Sequence, residues 1–158
     1  GGFVESAGCR DWQARAAVLA EFDQAIKHWS ADLSADGPHQ LFLAARDAMA
    51  KCYAPYSKFP VGAAIRTEDG RVFTGANIEN ASFPEGWCAE TTALSHYVMG
   101  GGGKIVEIAV CAEKMDRITP CGGCRQRLAE FAGPDARLHL CDQTGVVETL
   151  AFAGDTLR

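Results

Sequence analysis

The chain has 158 residues, 47% apolar and 22% charged. That fits one folded domain with a real core and excludes disordered, collagen-like and low-complexity classes. Fifteen Lys and Arg against twenty Asp and Glu leave a formal net charge of −5, so neither a nucleic acid polymer nor a membrane surface is the expected partner. No apolar run approaches the roughly 18 residues of a membrane span, and the first residues lack the basic and apolar blocks of an export signal. The seven cysteines (Cys9, Cys52, Cys88, Cys111, Cys121, Cys124 and Cys141) are odd in number. A reduced, cytoplasmic setting with some of them ligating metal is the expectation.

Residues 1–9 read as a leader. Val18, Phe22, Ile26 and Trp29 recur at helical steps and predict a packing helix from Asp11 to Ser30. Residues 1–37 are thus a leader plus an extra helix, and residues 38–158 a single domain. After a polar break at Ser34–Gly37, Pro38 suits a first helical turn. The helix it opens should run to about Lys51, burying Leu41, Leu43, Ala44, Ala48 and Met49. Two prolines keep Ala54–Pro60 irregular.

Val61–Thr67 and Arg71–Ile78 read as strands joined at Glu68-Asp69-Gly70. Ser82–Gly86 is a loop, Trp87–Val98 a helix, and Gly100–Gly103 its stop. Ile105–Ala112 is an apolar strand rich in β-branched residues. Pro120 opens a helix expected to end at Gly133-Pro134. Leu138–Cys141 and Val146–Leu150 complete the set around a turn at Gln143–Gly145. The order predicts an α/β fold, a five-stranded mixed sheet layered between helices, with two right-handed crossovers.

Two features carry chemistry. Pro120-Cys121-Gly122-Gly123-Cys124 puts two sulfurs on one side of a helix start, where unpaired N–H groups favour the thiolate that zinc requires. Cys88-Ala89-Glu90 also sits at a helix start. Residues i and i+2 share no helix face, so Cys88 and Glu90 serve one site only if Cys88 precedes the first turn. Three cysteines leave a fourth zinc position open, the pattern of a catalytic site. Glu90 is then placed as a general acid/base. The competing possibility is a closed structural zinc site, with Cys111, His139 or Cys141 as fourth ligand.

C-x-E followed by P-C-x-x-C resembles the signature of zinc-dependent nucleoside deaminases. The blocks Tyr53–Ala64, Thr74–Pro84, Cys88–Glu90 and Pro120–Gln126 resemble the small cytidine deaminases more narrowly, over about residues 41–145. The resemblance implies one Zn²⁺ per subunit on Cys88, Cys121 and Cys124. It also implies hydrolytic deamination of cytidine or 2′-deoxycytidine, with Glu90 shuttling protons from a zinc-activated water. Ala89 N–H would hold the base carbonyl, Asn77 and Glu79 the sugar hydroxyls, and Phe59 would pack on base or sugar. Phe83 would approach a neighbouring subunit's site in a homotetramer. The alternative substrate is another aminated nucleoside, either a modified cytidine or a nucleoside antibiotic.

Three departures stand out. Thr91 replaces the arginine that in many relatives donates to the cysteine sulfurs, so another arginine or further N–H donors are expected to compensate. The C-terminus lacks the usual Leu-Leu-Pro stretch, which puts Phe152 in question as a cross-subunit aromatic. Trp87 is bulkier than the usual aliphatic residue and is expected to narrow the pocket.

Overall fold

A computed structural model describes residues 37–115 and 117–156. The helix expected over Asp11–Ser30 lies outside them. Within them the order is α1 (Gly37–Met49), β1 (Val61–Thr67), β2 (Val72–Ala76), α2 (Ala89–Met99), β3 (Ile105–Ala112), α3 (Gly122–Ala129), β4 (Ala132–Cys141) and β5 (Val146–Ala151). The five strands form one mixed sheet in the order β2-β1-β3-β4-β5. Only β3 and β4 pair in parallel; β1 meets both β2 and β3 antiparallel. Two parallel crossovers are therefore present, as the sequence predicts: β2 to β3 through α2, passing over β1, and β3 to β4 through α3. A hairpin followed by a connection through α2 returns β3 antiparallel to β1.

Alternation along the strands splits the core into two. Ala63 and Ile65 of β1 face a cluster that includes Ala93, Leu94, Ile108, Val110, Leu138, Leu140 and Phe152, under α2 and α3. Ala64, Ala109, Cys111 and Cys141 face the other way, against Leu41, Phe42, Ala45 and Met49 of α1. The buried stripe of α1 is Leu41, Phe42, Ala45, Ala48 and Met49. Leu43 and Ala44, assigned to the core from the sequence, are only half-buried. Leu, Phe and Ala are interspersed closely enough in this helix that two overlapping stripes fit the sequence, and packing on β1 selects one of them.

Two bare backbones let the helices lie flat on the sheet. A Cβ at Gly62 would stand 2.0 Å from the Ala45 carbonyl oxygen of α1. One at Gly75 would stand 2.3 Å from Ala93 N and 2.4 Å from the Ala89 carbonyl oxygen of α2. Gly75 thus seats the first turns of α2 directly against β2.

Elements also shift at their ends. The helix opened by Pro120 ends at Ala129, and Gly133-Pro134 lies inside β4, which begins at Ala132. The strand expected to reach Ile78 stops at Ala76. Beyond it Ile78 bridges Tyr53 on one side and Trp87 on the other. No described helix is long and apolar enough to cross a membrane.

Candidate active site

Two helices begin at the same place. Cys88 caps the N-terminus of α2 in an extended conformation, and Trp87, bonded both ways to Ile78, sets its approach. Cys88 therefore stands before the first helical turn, as its sharing a site with Glu90 requires. Cys121 caps α3 in the same way, its sulfur accepting from Cys124 N at 3.4 Å. The packing of α2 and α3 on one sheet face brings the Sγ atoms of Cys88, Cys121 and Cys124 within 4.8 Å of one another. Cys88 and Cys121 are 4.0 Å apart.

This geometry fits zinc. Tetrahedral bonds of about 2.3 Å space sulfurs by roughly 3.8 Å. The electrostatics fit as well. Hydrogen bonding from Cys124 and, less strongly, from Cys121, together with the charge of Arg127, holds the Cys88 thiol down at about 6 against the opposing effect of burial. The Cys124 thiol is pushed up by its bond to Cys88, by burial and by the negative charges of Glu90 and Cys88. Three sulfurs sharing protons in this way are spaced to share a cation instead, and binding it releases those protons.

Glu90 lies in the first turn of α2, only 4% exposed. Burial pushes its carboxyl above the usual range, and the Cys88 charge adds to this; its own backbone N–H and a hydrogen bond from Cys124 oppose it. The carboxyl is therefore against the sulfur cluster. Ala89 is fully buried and opens the helix, where an N–H has no partner within the helix.

The other residues assigned from the sequence lie along the adjoining edge. Asn77 Oδ1 accepts from Val61 N at 2.9 Å and its Nδ2 donates to the Phe59 carbonyl at 2.9 Å. Its amide thus ties the Pro-rich loop to the end of β2. The Glu79 carboxylate accepts from Tyr56 N at 2.8 Å and from Ser57 N. Hydrogen bonding at Ser57 is the main cause that holds its pKa below the usual range. Both side chains keep capacity, a second N–H on the amide and free lone pairs on the carboxylate. Phe59 is half-buried beside them. Phe83, in a 3₁₀ turn over Phe83–Glu85, is 91% exposed.

The three residues proposed as a fourth ligand are elsewhere. Cys111 and Cys141 belong to the core under α1, and His139 bonds Thr149 and Glu107. Phe152, 1% exposed, packs into this chain's own core. The missing arginine at position 91 is answered in part by Thr91 itself, whose hydroxyl lies 3.8 Å from Cys124 Sγ. The arginine acting on Cys88 is Arg127, which the sequence did not single out. Its position three residues past Cys124, on the same side of a helix, was the available signal.

Comparison with known proteins agrees with this geometry. Residues 37–138 match the family model described as the cytidine and deoxycytidylate deaminase zinc-binding region. The cytidine deaminase of Sporosarcina psychrophila is 39% identical over 114 residues, 72% of this chain and 84% of that one. That of Halalkalibacterium halodurans is 43% identical over 101 residues, 64% of this chain and 76% of the relative. The crystal structure of cytidine deaminase from Burkholderia pseudomallei superposes with a TM-score of 0.68 at 43% identity, covering 72% of this chain and 91% of that one. A matched family region that contains the sulfur cluster and Glu90 on a shared fold leaves one conclusion: the chain belongs to the cytidine and deoxycytidylate deaminase family.

Proposed function

We propose that the chain deaminates free cytidine and 2′-deoxycytidine to uridine and 2′-deoxyuridine with release of ammonia, a step of pyrimidine salvage. The observation that carries this reading is the meeting of three cysteine sulfurs within 4.8 Å with a buried Glu90 carboxyl against them. Cys88, Cys121 and Cys124 would hold zinc, which would supply the Lewis acidity that makes water a nucleophile near neutral pH.

Glu90 moves the protons. As carboxylate it takes one from the attacking water, and as acid it gives one to N3 of the pyrimidine, which makes C4 electrophilic. Once the water oxygen has added at C4, the same carboxylate takes the remaining hydroxyl proton from that oxygen and relays it to the exocyclic amine, leaving the carbonyl behind. The C4–N bond then breaks and ammonia departs. A pKa raised by burial suits a group that must accept and donate in one cycle. Ala89 N–H orients the base through its carbonyl. Asn77 and Glu79 hold the sugar hydroxyls with the capacity their loop contacts leave over, and Phe59 packs against base or sugar.

The working form in this reading is a homotetramer. Phe83 projects almost fully into solvent, and Tyr53, Tyr56, Ile78 and Trp87 are about half exposed on neighbouring segments. Apolar surface concentrated around a site favours association, and Phe83 then reaches a neighbour's pocket. Residues 38–158 form the deaminase domain in this reading. A reducing, cytoplasmic setting suits the free cysteines among the described residues.

An ultraviolet assay of ammonia loss tests the reading across cytidine, deoxycytidine, cytosine, CMP and N4-substituted cytidines. Turnover of the two nucleosides, abolished by a zinc chelator and restored by zinc, is the expected result. Activity confined to cytosine or CMP would contradict the assigned sugar contacts. Activity confined to N4-substituted cytidines would move the substrate to a modified nucleoside.

A further inference from the structure

Three thiolates around a divalent ion carry one net negative charge, and an unmatched charge in a partly buried place is costly. Thr91 Oγ1 and Cys124 N–H offer hydrogen bonds to the sulfurs but no positive charge. Arg127 brings one. Its guanidinium carbon lies 5.8 Å from the centre of the Trp87 ring, and Trp87 directly precedes Cys88. On the other side, a Cβ at Gly123 would stand 3.1 Å from Arg127 Nη1 and 3.9 Å from Cys121 Sγ. The guanidinium and the Cys121 sulfur thus flank the same bare backbone.

We propose that Arg127, steadied on the indole of Trp87, is the cationic partner of the thiolate cluster and sets how tightly the site holds zinc. The inference rests on the zinc-deaminase reading above. Arg127 acts through the ligands and does not touch substrate, so it is a positioning residue. Three local choices converge on it. The ring of Trp87 gives the guanidinium a face to stack on, which a smaller aliphatic residue could not. Gly123 leaves the space through which it passes. Arginine keeps its charge at every working pH and its planar group suits stacking, as lysine's does not.

The test measures zinc retention by the full chain in competition with a chromogenic chelator. Arg127→Met keeps the side-chain stem and removes the charge; it should bind zinc about tenfold more weakly, the lower end of what loss of an outer partner of the ligands costs a metal site. Arg127→Gln supplies the same neutral test should methionine disturb folding. Arg127→Lys should stay within about threefold of wild type, and KM for cytidine should move little in any of them. The control is Lys104→Ala, which removes a positive charge paired with Glu68 at the opposite end of the sheet; it should retain zinc as wild type does. Two results overturn the inference: neutral Arg127 variants that hold zinc as tightly as wild type, or Lys104→Ala weakening it equally. A wild-type chain that takes up no zinc sinks the deaminase reading and this inference with it. Normal zinc uptake with insensitive Arg127 variants sinks this inference alone.

Discussion

Two clusters of ionisable side chains lie on opposite faces of the same sheet and follow different rules. Under α1, Glu107 accepts from Arg66 Nη2 at 2.6 Å and bonds His139 Nε2 at 3.0 Å. His139 Nδ1 meets the Thr149 hydroxyl at 2.9 Å, and Arg66 also donates to the Gly37 carbonyl at the start of α1. The bond to His139, and then the charges of Arg66 and His139, hold the Glu107 carboxyl below its ordinary range. Opposite charges face one another here, and the cluster joins five elements. Across the sheet, Glu90 lies buried against sulfur, its pKa pushed up by burial and by a negative neighbour. A matched cluster fastens the fold. A cluster of like-charged groups gathered at two helix starts is kept for a ligand that completes it.

That contrast is open to attack by mutation, and Glu90→Gln should have the largest effect. It preserves shape and removes the titrating group, so turnover should fall by roughly 10³-fold, the scale of general acid–base catalysis. Zinc content and thermal midpoint should hold. Equal loss of zinc or of fold would make Glu90 a structural residue like Glu107.

Gly75→Ala comes next. The added methyl would meet α2 backbone at 2.3 Å, and helix backbone cannot turn aside as a side chain can. A loss of about 3 kcal/mol in urea unfolding is expected, at the upper end for overpacking. Since the displaced turns carry Cys88 and Glu90, zinc retention should fall alongside. An alanine variant of normal stability would mean that Gly75 does not seat α2.

Glu107→Gln should cost least, about 2 kcal/mol, and leave kcat unchanged. Its pH dependence sharpens the point. A carboxyl whose folded pKa is depressed contributes stability that is present above its unfolded value of about 4.3 and is lost as pH falls through the folded one. The gap between wild type and Glu107→Gln in urea midpoint should therefore be full at pH 7 and close under acid. A gap that persists in acid would remove the charge from the explanation.

Much of the site was legible because its ligands are local. Cys121 and Cys124 are three apart at a helix start, and Cys88 and Glu90 flank one residue at another. Neither spacing needs a long-range contact to suggest metal chemistry. The packing contacts were harder to read. Leu43 and Ala44 fit an apolar stripe as well as Phe42 and Ala45 do, and only β1 chooses between them. Gly133-Pro134 looks like a helix stop, yet the strand has already begun, since Pro is tolerated at strand beginnings and lacks only its own donor. Asn77 and Glu79 were assigned to ligand, and both also hold the backbone of the Pro-rich loop, which becomes visible only once residues 56–61 are placed beside them.

By itself the sequence determined the α/β class, the chemical identity of the donor set and the carboxyl that accompanies it, because helix starts, turn residues and ligand spacing are written within a few positions of chain. Tertiary structure alone decided that the two helix starts coincide, that Phe152 turns into its own core and that Arg127 rests on Trp87 beside the sulfurs. Those outcomes depend on how two helices pack on one sheet face, and residues separated by some thirty positions declare no neighbour until the sheet between them is built.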